Sequence, residues 1–229
     1  MKQILFAITM IAISITACQK QAITPAPTQE TVTADDQLPT DAKFFYNTTP
    51  VTRKSEIKCY DSDQRVVLAT DKINGTPSYY FFDNADAAEA FIGQYPVMRE
   101  LQIKARQCRE MRAYATAHGE YERYAQTGSF SDEFITYTQQ FKSQSRGFAL
   151  LYQNIMFGGA FMQLNSAFPI ALFPAFINNN GESIRPPAGA VIANTLWDGP
   201  GFGAPGIFIN MSLPNFVAIG FVNKFSSAN

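Results

Sequence analysis

The chain has 229 residues, 46% of them hydrophobic and 14% aromatic, with 18 basic against 19 acidic side chains and a formal charge of −1. A near-neutral balance without a basic cluster excludes nucleic acid as an expected partner. One histidine and no paired CxxC spacing argue against a metal site, and no cofactor is expected.

Lys2 is the only charge before Cys18, and the twelve-residue run ILFAITMIAISI follows it from Ile4 to Ile15. A short basic start, an apolar core and small residues before a cut describe a secretory signal peptide over residues 1–17. A membrane-spanning helix needs about 20 apolar residues, so this run is too short for one. The tetrad Ile15-Thr16-Ala17-Cys18 then resembles the lipobox of bacterial lipoproteins, an aliphatic residue and two small ones before a cysteine. The resemblance implies cleavage before Cys18, diacylation of its sulfur and acylation of the new amino group, with membrane lipid as the partner. Each buried methylene contributes about 0.8 kcal/mol, so two or three chains anchor where one does not. Gln19 stands where an Asp would signal inner-membrane retention in enteric bacteria. The same resemblance therefore implies an outer-membrane anchor, facing the periplasm or the surface. The alternative is an ordinary signal peptide with a cysteine there by chance.

Residues 18–42 are polar and rich in Pro and Thr, a composition that cannot fold into a core. They are expected to form a flexible tether with an r.m.s. reach of roughly 25–30 Å. Without the leader, 17 basic and 19 acidic side chains remain, a formal charge of −2, together with Cys59 and Cys108. The length left allows one large domain or two small ones. An even cysteine pair in an exported chain reads as a disulfide. Closing a loop of 49 residues would stabilise the fold by about 4 kcal/mol in the chain-entropy model. The alternative is two reduced, buried thiols.

Short strand-like runs follow. In SEIKCY, Ile57 and Cys59 share one face. RVVLATD, a turn at Asn74-Gly75 and SYYFF complete a small antiparallel sheet over roughly 55–83. Asp83 is the expected cap of a helix in NADAAEAFIGQ. Pro96 fits the first turn of a longer helix, along which Val97, Leu101, Cys108, Met111 and Ala115 fall at helical spacing. That stripe would place Cys108 against the sheet, where Cys59 could meet it.

A second long helix is expected from Ser131, with Phe134, Tyr137, Phe141, Phe148, Tyr152 and Ile155 on one stripe and Gly158-Gly159 as its stop. The uncharged run AFMQLNSAFPIALFPAFI, residues 160–177, contains Pro169 and Pro174. It reads as a buried connection or membrane-surface segment rather than a span. GAVIANTL near 189–196, GIFINMSL and FVAIGFVNKF read as strands, the last two separated by a turn at Pro214-Asn215. The expected class is therefore α+β. A small antiparallel sheet with two long amphipathic helices fills 43–157, and a Gly/Pro/Phe-rich, β-containing region at 158–229 packs on those helices.

Catalytic chemistry is sparse. His118 beside Gly119 fits a helix cap better than a general base, and no G-x-S-x-G elbow occurs. Asp61-Ser62-Asp63 opens like a calcium loop, but the sixth position is Val66 rather than the required glycine, so a turn explains it better. Glu120 and Glu122 are carboxylates that a hydrolase could use, without a motif around them. WDGPGFGAPG, Trp197 to Gly206, is the most unusual stretch. It reads either as a connection with several turns or as an exposed interaction loop in which Trp197, Asp198 and Phe202 would meet glycan or a partner. Residues 147–229 hold only Glu182, Arg185, Asp198 and Lys224 as charges, together with 11 of the 20 phenylalanines. Apolar patches above a few hundred Å² are uncommon on soluble monomers. An exposed apolar face is therefore expected near 160–177 and 197–205, with a protein partner or self-association to cover it. The expected function is a lipid-anchored, non-catalytic binding or assembly component of the envelope. The alternative is a membrane-inserting or membrane-surface part of a pore or export assembly, working through the C-terminal half.

Overall fold

The structure, a computed structural model, describes residues 36–141, 148–165, 169–174, 177–185, 193–221 and 224–228. Ten strands and four α-helices follow one another among them. The strands are β1 Lys43–Tyr46, β2 Thr49–Val51, β3 Val66–Thr70, β4 Ser78–Phe82, β5 Phe148–Asn154, β6 Gly158–Asn165, β7 Ser183–Arg185, β8 Asn194–Gly199, β9 Gly203–Ile209 and β10 Ser227–Ala228. The helices are α1 Ala85–Ile92, α2 Arg99–Ala117, α3 Glu120–Thr127 and α4 Asp132–Gln139.

Seven strands form a central mixed sheet in the order β10-β8-β9-β3-β4-β1-β2, and three form a smaller antiparallel sheet, β6-β5-β7. Within the central sheet β1 runs parallel to β4 and β3 parallel to β9, while its other pairs are antiparallel. One face, with Leu68, Tyr80, Phe82, Trp197 and Phe208, packs on helix residues such as Phe91, Leu101, Met111 and Phe134. The other, with Val67, Phe81, Leu196, Ile207 and Ile209, packs on Ala149, Leu151, Leu164 and Ile184 of the small sheet and on Phe216, Phe221 and Phe225. All five residues of β3 and of β4 are buried. A strand covered on both faces reads as an unbroken apolar run rather than an alternation, which is what VVLAT and SYYFF are.

The α+β class holds, but its details change. The sheet is mixed and seven-stranded, and it draws strands from both compositional halves of the chain. SEIKCY is a 3₁₀ turn, Lys54–Glu56, and a loop. Glu56 accepts from the amides of Thr52 at 2.7 Å and Arg53 at 3.0 Å, a local arrangement that competes with extension. Asn84, not Asp83, caps α1 by accepting from the Ala87 amide at 2.9 Å. Asp83 instead accepts from the Tyr46 hydroxyl at 2.9 Å. The helix predicted after Pro96 forms, with Leu101, Cys108, Met111 and Ala115 buried and Val97 exposed.

The second long helix stops at Gln139, and Phe148–Asn154 is strand. Phe148 and Tyr152 are four apart, a spacing that suits one helical face and one strand face alike. Gly158-Gly159 therefore opens the returning strand of a hairpin instead of ending a helix. The uncharged run 160–177 begins in β6 and continues past Asn165 outside it. No helix among the described residues is long and apolar enough to cross a membrane. FVAIGFVNKF contains a 3₁₀ turn, Val217–Ile219, ended by Gly220 at φ 72°, rather than a strand.

Gly206 in β9 lies against the Trp197 ring across the β8–β9 pair, and a Cβ added there would stand 2.3 Å from Trp197 Cε3. The indole cannot retreat, because it is fully buried, with Phe208 edge-on at 5.6 Å. Overpacking a tight core costs about 1–3 kcal/mol and occasionally more. Gly206→Ala should lower the unfolding free energy by about 3 kcal/mol or more, measured by denaturant titration. An unchanged midpoint would contradict this packing.

Candidate functional site

Cys18 lies outside the described residues. The bridge expected between Cys59 and Cys108 is not formed: both are free and buried. Cys59 belongs to the core on the small-sheet side of the central sheet, and Cys108 to the core on the helix side. A layer of strands therefore separates them, beyond the short Cβ approach that a bridge requires. Cys108 Sγ shares a hydrogen bond with Thr195 Oγ1 at 3.2 Å. Burial pushes the Cys59 thiol up to about 11 and raises that of Cys108, so neither is a thiolate at neutral pH.

The expected exposed loop is also corrected. Trp197 and Phe202 are fully buried, because β8 is an inner strand of the central sheet and the helices cover it. The indole Nε1 donates to Thr195 Oγ1 at 3.0 Å, and the Arg112 guanidinium lies 4.4 Å from the ring centroid. Helix side chains fasten the rest of the loop. Tyr121 donates its hydroxyl to the Gly201 carbonyl at 3.0 Å, and Arg112 Nη1 donates to that of Phe202 at 3.3 Å. The Phe202 amide donates to Ser227 Oγ at 3.0 Å. Asp198 is half-buried. Burial raises its carboxyl, while Lys224 and Arg65 act to lower it and Asp63 adds to the rise.

Other chemistry-bearing groups are held in structural roles. His118 is the C-cap residue of α2, its Nδ1 2.9 Å from the Tyr114 carbonyl and its ring stacked on Tyr114 at 3.8 Å. The buried Glu120 carboxylate accepts from the Ser131 amide at 2.9 Å and hydroxyl at 2.5 Å, and Ser131 Oγ caps α4 by accepting from Phe134. Glu122 is exposed. In Asp61-Ser62-Asp63, Ser62 donates its amide to the Cys59 carbonyl at 3.0 Å and its hydroxyl accepts from Gln64 at 3.2 Å, a turn as expected. No group of three or more His, Cys, Asp or Glu that could hold a metal occurs among the described residues. Arg65 is buried. It donates to the Tyr60 carbonyl and, at 2.6 Å, to that of Gly220, tying the start of β3 to the 220 turn.

The outer face of the small sheet carries accessible apolar side chains around the buried Tyr152. There Tyr152 opposes Phe161 across the β5–β6 pair. Arg185 on β7 donates from Nε to the Tyr152 hydroxyl at 3.1 Å and lies over the rings of Tyr152 at 5.3 Å and Phe157 at 4.9 Å. Phe161 is 55% exposed and Met156, at the hairpin tip, 71%. Met156 and Phe157 adopt φ of 55° and 61°. Turns of that shape normally employ Asn-Gly, and strained backbone of this kind concentrates where a protein binds or switches. The tip is fastened by Met156 N donating to the Pro214 carbonyl at 2.7 Å and Phe157 N to Ser183 Oγ at 3.1 Å. The sequence signal for this hairpin was the Gly158-Gly159 pair. Clefts among the described residues lie elsewhere. A polar one of about 690 Å³ includes Asp36, Lys54, Lys58 and Asp61, and an apolar one of about 620 Å³ runs beside β1 and β2. A third, of about 460 Å³, lies at Asp86, Arg112 and Tyr121.

No protein-family model matches the chain, and no curated protein matches it. Partial likenesses occur among solved structures. A βγ-crystallin from Ciona intestinalis is similar over 36% of this chain and 98% of its own, at 22% identity and a TM-score of 0.31. An archaeal βγ-crystallin is similar over 37% and 98%, at 15% identity and a TM-score of 0.32. The fifth such domain of the non-lens protein Absent in melanoma 1 is similar over 38% and 90%, at 18% identity and a TM-score of 0.31. Likeness at these scores assigns neither a fold family nor a function to this chain.

Two measurements follow from the buried groups. The folded, unreduced chain should leave Cys59 and Cys108 unmodified by iodoacetamide, and denaturation without reductant should make both reactive. Peptide masses still unmodified after denaturation would restore the bridge. Lys104 on α2 is 1% exposed, and burial pushes its amine down to about 8 from 10.5. Between those values the unfolded chain binds the extra proton, so this group makes stability rise with pH. The raised Cys59 thiol acts oppositely between 9 and about 11, because the native state keeps a proton that the unfolded chain releases. Subtracting a Lys104→Met variant isolates the lysine. From pH 7.5 to 10 the wild type should gain on the variant by on the order of 2 kcal/mol in denaturant titrations, and a flat difference would show an ordinary amine.

Proposed function

We propose that this protein is a lipid-anchored, non-catalytic binding or assembly component of the bacterial envelope, tethered through Cys18 to the outer membrane. The observation that carries the reading is the apolar run Ile4–Ile15 followed directly by Ile15-Thr16-Ala17-Cys18 and a polar, Pro/Thr-rich segment. Among the described residues of 147–229, Ala149, Leu151, Ile184, Phe216, Phe221 and Phe225 belong to one core and Trp197, Phe202 and Phe208 to the other, on either side of the central sheet. That favours a folded module over an inserted segment. What such a module offers a partner is the outer face of the small sheet, where Phe161, Arg185 and the strained Met156-Phe157 tip are accessible. Binding surfaces combine aromatic and arginine side chains in this way.

Cells expressing the full chain should incorporate labelled palmitate into it, and globomycin should cause the uncleaved precursor to accumulate. Cys18→Ala should abolish the label. A mature chain without palmitate, cut elsewhere than before Cys18, would overturn the anchor.

A further inference from the structure

Strand β6 stands at one side of the small sheet. Its inner edge pairs with β5, and among the described residues no strand pairs with its outer edge. Its eight residues, GGAFMQLN, contain neither a charge nor a proline, the devices by which proteins keep sheet edges from pairing. Most of the strand is accessible too: Gly159, Ala160, Phe161 and Gln163 are exposed and Met162 is half-buried, while Leu164 is in the core. The other sheet edges carry protection that β6 lacks. Strand β2 has Pro50 within three residues, and β10 is two residues long. Strand β7 has three residues, and its Ile184 bridges to Leu213.

We infer that β6 pairs antiparallel with β6 of a second copy, joining two small sheets into one of six strands. The open N–H and C=O groups of this edge are a template for another strand, and they oppose burial in lipid, where each unsatisfied group costs several kcal/mol. A second copy fits because an uncharged strand opposes no like charges when paired with itself, and the contact closes on two-fold symmetry. An axis perpendicular to the sheet keeps the outer faces on one side. It brings the two Phe161 rings to neighbouring positions and joins the two Tyr152–Arg185 surfaces. One strand pair buries less than the roughly 1,000 Å² of a stable interface, so the dimer is weak and concentration-dependent. It goes beyond the proposed function and does not rest on the lipid anchor.

The test uses the full chain in the cells that produce it. Gln163→Cys, treated with a long flexible bis-maleimide, should give a product of twice the chain mass. The wild type should not, and neither should Thr116→Cys on the exposed side of α2. The wild-type lane also reports any reaction through Cys18, and the fraction in which the product appears, membrane or soluble, separates the fate of this inference from that of the anchor. Adding Ala160→Lys or Phe161→Lys, each at an exposed position, should cut the yield about tenfold, with unchanged circular dichroism. Two lysine variants guard against one of them failing to fold. No product of twice the mass, an equal yield from Thr116→Cys, an adduct with a different protein, or a yield indifferent to both lysines would overturn the pairing.

Discussion

The central sheet is covered on both faces, and nearly everything else in the molecule follows from that. A strand with two buried faces cannot spend alternate positions on water, so β3, β4 and the end of β9 carry Val, Leu, Ile, Phe and Tyr at successive positions. It also needs two covering layers. The helices α1, α2 and α4 supply one, and the small sheet with the Phe-rich loops supplies the other. The low charge of the C-terminal half is a consequence. That half contributes β8 and β9 to the middle layer and most of the outer cover, places where a charge would be desolvated without return.

The same constraint explains why conspicuous residues are quiet. Trp197, Phe202, Cys59 and Cys108 belong to cores. Arg112 spans helix and sheet by lying over the indole while holding the Phe202 carbonyl. Glu120 fixes α4 through Ser131. The small sheet differs from the central one, because its inner face is core and its outer face is only partly covered.

Much of this was legible in the residues. VVLAT, SYYFF and GIFI announced strands, and the stripe through Leu101, Cys108, Met111 and Ala115 announced α2 and its buried side. The class followed from them. What was not legible has physical causes. Spacing by four cannot separate a helix from a strand, which hid β5. Burial on both faces erased the alternation that would have shown how many strands share the sheet. The disulfide inference assumed that two apolar faces meet each other, whereas Cys59 and Cys108 meet opposite sides of a third layer. The glycines of WDGPGFGAPG looked like freedom for an exposed loop. They are instead close approaches: Gly199 against Gly203, Gly201 against Phe130 and Gly206 against Trp197.

Strand β3 has as its parallel neighbour β9, joining Val66–Ala69 to Gly206–Ile209. That contact joins strands far apart in sequence. The first four strands can pair as β2-β1-β4-β3 and α1 and α2 can cover one face, but the β9 edge of β3 and the opposite face wait for the C-terminal half. Pairing at such sequence separation must first close a long loop, which slows the search and lengthens the life of aggregation-prone intermediates. Until the last third of the chain arrives, the edge of β3 that β9 fills is open to other strands.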